Sequence, residues 1–223
     1  MSEADHTNAP KLALVTGASR GLGAALAEGL ATRGYHVLAV ARTVGGLEEL
    51  DDRIRRAGGS ATLAPMDVTN PEAMQQMAEA VANRWGGLDL WAHTAIHAAP
   101  LAPAPQIDGK DWAKSTLLNI EVTRGLIALL EPLLRLKNGT AMFFDDPQAG
   151  EKFFGAYGAT KAAQIALARS WQAETAKLAG LKIVVDAPTS MPTAVRARFY
   201  PGEDRAVLTP CKAEAERILQ QYL

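Results

Sequence analysis

"TGASRGLG", residues 16–23, decides how the rest of the chain is read. It closes the apolar run "KLALVT" (11–16) and opens a stretch of small and apolar residues with helical spacing, so it joins a strand to a helix. Each glycine has a reason to be there. Gly17 permits a tight turn, Gly21 lets backbone approach a pyrophosphate, and Gly23 lets the helix pack close to the sheet. Free backbone N–H groups and the positive end of the helix then face the anion. The agreement of strand, spacing and helix separates this turn from a glycine turn that binds nothing.

Outward from the turn, short apolar runs alternate with helical patterns: "HVLAV" (36–40), "ATLAP" (61–65), "LDLWA" (88–92), "TAMFF" (140–144) and "KIVVDA" (182–187). Continuous apolar runs of this length suit strands buried on both faces, as in a parallel sheet. Helices are expected at 21–33, 44–57, 71–85, 111–136, 155–179 and 211–222; Asn70 before Pro71 is a helix start. The alternation predicts a doubly wound α/β fold of the Rossmann type, with six parallel strands in the order 3-2-1-4-5-6 and helices on both faces. The least regular stretches, 93–110 and 187–210, both follow strands, where the ligand crevice of such a sheet lies.

The bulk numbers narrow the partner. The chain has 223 residues, 48% of them hydrophobic, and reads as one domain over 11–223 after a flexible tail over 1–10. Twenty-three basic side chains against 24 acidic ones, without long like-charge blocks, point away from nucleic acid and membrane surfaces and toward a small molecule or another protein. Cys211 is the sole cysteine, which excludes an internal disulfide and fits a reducing compartment. The polar start lacks the pattern of a signal peptide, and no stretch approaches the ~20 apolar residues of a membrane span. A cytoplasmic protein is expected. No cluster has metal-ligand spacing.

The end of the second strand bears on the choice of dinucleotide. An acid there would bond a ribose 2′-OH and repel a 2′-phosphate, but this chain has Ala41 and Arg42, with Arg20 inside the turn. A guanidinium suits a phosphate dianion, so NADP is expected rather than NAD, unless Arg42 is a solvated loop residue. Asp67 in "PMDVTN" either bonds the adenine amino group or caps the following helix. Farther on, "FFDDPQAGEKFFGAYGATK" (143–161) ends a strand in two aspartates and starts a helix with Tyr157 and Lys161 one turn apart. Tyrosine titrates near ~10, too high for a base at neutral pH, and an ammonium on the same helix face favours its phenolate.

With "TGASRGLG", "MDV", Asn119 in "LLNIEVT" and "YGATK" in this order, the chain resembles the short-chain dehydrogenase/reductase family from residue 11 to about 200. The resemblance implies a bound nicotinamide dinucleotide and chemistry between a small carbonyl and an alcohol. It assigns Tyr157 to proton exchange with the substrate oxygen, Lys161 to the nicotinamide ribose and the tyrosine pKa, and Asn119 to a relay water. Its cofactor residues fall here on Gly17, Ser19, Arg20, Gly21, Leu22, Gly23, Arg42, Asp67, Val68, Tyr157, Lys161, Pro188 and Thr193. It further implies a homodimer through helices 111–136 and 155–179, with Ala156, Ala159, Ala163 and Ala166 allowing close approach.

Three departures stand out. The family's "NNAG" reads "HTAI", residues 93–96, and its "PG" reads Pro188 and Thr189. Its catalytic serine falls at "FFDDP", where Asp145 or Asp146 stands; Asp146 is expected to face the cofactor. An ionised acid there accepts but cannot donate, and it opposes a Tyr157 phenolate. Either burial keeps the acid protonated or the aspartates turn away. His93 and His97 read as packing or loop residues with an acid/base role as the alternative. Two functions follow: an NADP-dependent oxidoreductase, or a catalytically impaired dinucleotide-binding sensor or interaction protein.

Overall fold

The computed structural model describes residues 10–177 and 179–223, so the expected tail lies almost wholly outside the described residues. Six strands form one parallel sheet in the order β3-β2-β1-β4-β5-β6. They are β1 (Leu12–Thr16), β2 (His36–Ala41), β3 (Ser60–Pro65), β4 (Leu90–His93), β5 (Thr140–Phe144) and β6 (Lys182–Asp186). All five residues of β1 are buried, as a central strand covered on both faces requires.

Alternation along β1 splits its side chains between two cores. Ala13 and Val15 meet α1 (Gly21–Ala31), α2 (Val44–Arg56) and α8 (Cys211–Tyr222) through Leu26, Leu30, Leu50 and Ile218. Leu12 and Leu14 face α3 (Pro71–Trp85), α5 (Thr123–Leu136) and α6 (Gly155–Thr175), where Met77, Leu130, Ile165 and Trp171 pack. Side chains of this size each contribute about 1.5–3 kcal/mol when fully buried, so the two layers clamp the sheet far more strongly than any surface ion pair.

Local signals explain the boundaries. Asn70 caps α3 by accepting from the Ala73 N–H at 3.1 Å, Pro71 follows it, and Gly86 closes the helix at φ +68°. The helix expected at 111–136 starts earlier and carries a change of pitch: α4 (Gly109–Thr116), capped by Asp108, runs through a π-turn at Leu117–Val122 into α5. That extra residue per turn puts Asn119 and Thr123 at the sheet end facing β4. The helix expected to reach 179 ends at Thr175, β4 runs to His93, and the irregular 187–210 stretch contains α7 (Ala194–Phe199). Each strand therefore delivers its C-terminal residue to one edge: Thr16 pairs in register with Val40 and His93, and His93 with Phe143.

Candidate cofactor and substrate site

A cavity of about 550 Å³ opens along that edge, lined by the glycine turn, the ends of β2 and β3, the aspartates after β5, the start of α6 and the segment around α7. Gly17 adopts φ +87°, and a Cβ there would stand 2.7 Å from the Ala95 nitrogen, so only glycine fits. A Cβ on Gly23 would collide with the Gly17 carbonyl and the Thr94 hydroxyl. Gly21, at φ +59°, meets nothing nearer than Thr193 Cγ2 at 3.4 Å, which leaves the backbone open to a ligand. No side chain caps α1. Its first-turn N–H groups are thus available to an anion, and the turn fits a diphosphate.

Ser19, Arg20, Leu22, Arg42, Asp67, Val68, Pro188 and Thr193 all line this cavity. Arg42 is largely exposed and reaches Asp67 only at 3.8 Å, so its guanidinium has hydrogen-bonding capacity left for a phosphate. Asp67 does not cap α3, which corrects one of its two expected roles: Asn70 does, while Asp67 Oδ1 accepts from the N–H and hydroxyl of Thr69 and shapes the turn. Thr193 caps α7 by accepting from the Arg196 N–H at 3.1 Å.

Tyr157 and Lys161, one turn apart on α6, are both buried and both reach the cavity. The aspartates diverge. Asp145 pairs with Arg169 at 3.1 Å, whereas Asp146 Oδ2 accepts from the Tyr157 hydroxyl at 2.8 Å and its Oδ1 from Gln148 Nε2 at 3.0 Å. The alternative in which both aspartates turn away is thereby excluded. Burial, then the charge and hydrogen bond of Asp146, push the Tyr157 pKa well above its usual value. Burial moves Lys161 the other way, down to about 8, and the two aspartates only partly offset it.

Lys161 is tied into a buried polar chain. Its Nζ donates to Gln164 Oε1 at 2.8 Å, and Gln164 Nε2 donates to the Thr123 hydroxyl at 2.9 Å. Thr123 donates to the Asn119 carbonyl at 3.0 Å, so the His93 Nε2 lying 3.1 Å from the same hydroxyl must donate to it. His93 Nδ1 then accepts from the Thr16 hydroxyl at 2.8 Å. These partners assign the Nε2–H tautomer and a neutral ring, and full burial lowers the His93 pKa to about 3. His93 is a packing residue at the end of β4, bonded to Thr16 and Thr123.

Asn119 is fully buried and its side chain is committed to neighbours: Oδ1 accepts from the His97 N–H, and Nδ2 donates to the His97 carbonyl and the Thr160 hydroxyl. It binds the loop after β4 to α6. Gln164 and Thr123 escaped sequence reading, although Gln164 lies three residues after Lys161 on the same helix face and is a polar residue in a small-residue stripe. Of the four alanines expected at a helix interface, Ala159 and Ala166 are exposed and Ala163 partly so, but Ala156 is buried inside the fold.

The sequence model of the short chain dehydrogenase family matches residues 11–204. A fatty acyl-CoA reductase of Acinetobacter baylyi is 33% identical over 171 residues, 75% of this chain and 58% of that protein. The chain therefore spans less than two thirds of that relative's length. A short chain dehydrogenase structure from Pseudomonas syringae superposes with a TM-score of 0.86 at 28% identity, covering 91% of this chain and 85% of that one. One from Shigella flexneri, complexed with NADP, gives 0.84 at 26% identity, covering 91% and 86%.

Proposed function

The chain belongs to the short-chain dehydrogenase family, and from that premise we propose that it is an NADP-dependent oxidoreductase that interconverts a small carbonyl-type substrate and its reduced form. The observation that carries this reading is the single cavity joining the glycine turn to Tyr157 and Lys161. When bound, the dinucleotide supplies or accepts the hydride. The chain's own residues do the rest. The α1 N-terminus and Gly21 would hold the pyrophosphate, and Asp67 and Val68, which line the same cavity, would meet the adenine. Arg20 and Arg42 would receive a 2′-phosphate, with Ala41 in place of a repelling acid; the NADP complex of the Shigella flexneri relative supports that choice.

Lys161 has two N–H groups beyond the one given to Gln164, and they suit the hydroxyls of the nicotinamide ribose. Tyr157 holds a proton beside the reacting atoms, and Asp146 controls where that proton points. Asn119, committed to His97 and Thr160, fixes the loop that walls the site. Homodimerisation through the α4–α5 and α6 surfaces and residence in the cytoplasm belong to the same proposal; the exposed Trp112 and Leu117 on the first of these surfaces support the dimer. Calorimetric titration of NADPH and NADH tests the cofactor assignment: tighter NADPH binding that Arg42→Ala abolishes is expected, and equal affinities in the wild type overturn it.

A further inference from the structure

The floor of the substrate end of the cavity is unusual in what it can donate. Asp146 occupies it, and the Tyr157 hydroxyl and one N–H of the Gln148 amide donate to its two oxygens. A neutral carbonyl set against Tyr157 would have to draw that hydrogen away and would face its own lone pairs toward a carboxylate. A protonated imine meets the opposite situation. Its N–H donates to Asp146 Oδ2, which can accept a second bond, so Tyr157 keeps the one it has.

The walls agree with the floor. Phe199, Phe144 and Met191 line the same cavity, and the Tyr157 and Phe199 rings lie 4.9 Å apart, whereas the Tyr200 ring already has the Arg196 guanidinium 4.0 Å from its centroid. Aromatic faces attract cations. Asp145 is paired with Arg169 and Arg196 is held by both oxygens of Glu203, while Lys161, bonded to the neutral Gln164 amide, keeps its charge; the Asp146 oxygens, each with one bond accepted, still have lone pairs for a cationic donor.

We infer that Asp146 makes this site a reductase of small protonated C=N compounds in preference to neutral ketones. The inference rests on the NADP-dependent reading above. The balance closes without a new reactant: the iminium carbon gains the hydride pair of NADPH, the C=N π pair becomes the nitrogen lone pair, the N–H stays in place, and NADPH becomes NADP⁺. The product is a neutral amine. Tyr157 can then turn its hydroxyl from Asp146 to the new lone pair.

The probes are 2-methyl-1-pyrroline, a protonatable cyclic imine, and cyclopentanone, a neutral ketone of the same ring size, given to wild type, Asp146→Asn and Asp146→Ser after NADPH binding to each has been measured. A kcat/KM at least about tenfold higher for the imine in the wild type is expected, equivalent to about 1.4 kcal/mol. Asp146→Ser should reverse the order by raising ketone reduction. Independently of turnover, pyrrolidinium binding to the NADPH-loaded protein, read by calorimetry, should weaken about tenfold in Asp146→Asn. Equal use of the two probes by the wild type, an unchanged pyrrolidinium affinity in Asp146→Asn, or NADPH bound with neither probe consumed overturns the inference. Failure of the wild type to bind NADPH overturns the oxidoreductase reading beneath it instead.

Discussion

The Tyr157 hydroxyl donates to Asp146 Oδ2 at 2.8 Å, so the end of β5 and the start of α6 meet at one hydrogen bond. The bond makes the tyrosine proton harder to remove, which is the reverse of what a phenolate mechanism needs. Replacing Asp146 by Ser removes a negative charge and its strong acceptor together. The tyrosine titration seen by ultraviolet difference spectroscopy should then move to lower pH, since the charge and the hydrogen bond of Asp146 both raise the Tyr157 pKa on top of its burial. Tyr157→Phe should delete that transition altogether.

His93 predicts the acid limb of stability. Its folded pKa is depressed to about 3 by burial, while the unfolded chain binds the same proton near ~6.5. Its contribution is therefore complete above pH ~6.5 and is lost as the pH falls toward 3, at up to about 1.4 kcal/mol per unit. Urea unfolding of the wild type between pH 7 and 4 should show this decline. His93→Asn should flatten it, at the expense of lower stability at pH 7 from a broken polar chain.

Gln164 should matter more than a helix-surface glutamine would. Gln164→Leu strips Lys161 of its acceptor and Thr123 of a donor inside the core. An unpaired buried polar group costs about 1–3 kcal/mol, so a lower urea midpoint is expected, together with weaker NADPH binding as Lys161 loses its fixed position. Unchanged midpoint and affinity would show that Lys161 needs no such support.

These residues also mark what the sequence could and could not reveal. The strands were legible because a parallel sheet buries both faces, and "LALVT" and "TAMFF" each carry one threonine and no charged side chain. Gly17 and Gly23 were legible because their packing forbids a Cβ. The π-turn at Leu117–Val122 was not, since one extra residue in a helix is set by what packs against it and leaves the apolar period nearly intact. The Lys161–Gln164–Thr123–His93 chain joins α6, α5 and β4, and contacts between elements so far apart in sequence have no local pattern. Asp146 was placed from its position relative to the family's serine. Its partner Gln148 depended on a turn that sequence does not specify.

Light scattering tests the proposed dimer. Trp112 and Leu117, each close to half exposed, lie on the α4 to π-turn surface, and Ala159, Ala162 and Ala166 face outward from α6. A dimer mass at micromolar concentration is expected, with Ala162→Glu shifting it toward monomer. A wild-type monomer contradicts the proposal.

Substrate-dependent oxidation of NADPH tests the central claim most directly. Wild type and Tyr157→Phe/Lys161→Met are each saturated with NADPH and offered the same panel of small aldehydes, ketones and cyclic imines. The wild type should consume NADPH with at least one of them, and the double variant should bind NADPH yet run at least about 100-fold slower, the lower bound for loss of a positioned proton donor. Equal rates in the two proteins, or a wild type that binds NADPH and consumes none of it across the panel, would contradict an oxidoreductase built on Tyr157 and Lys161.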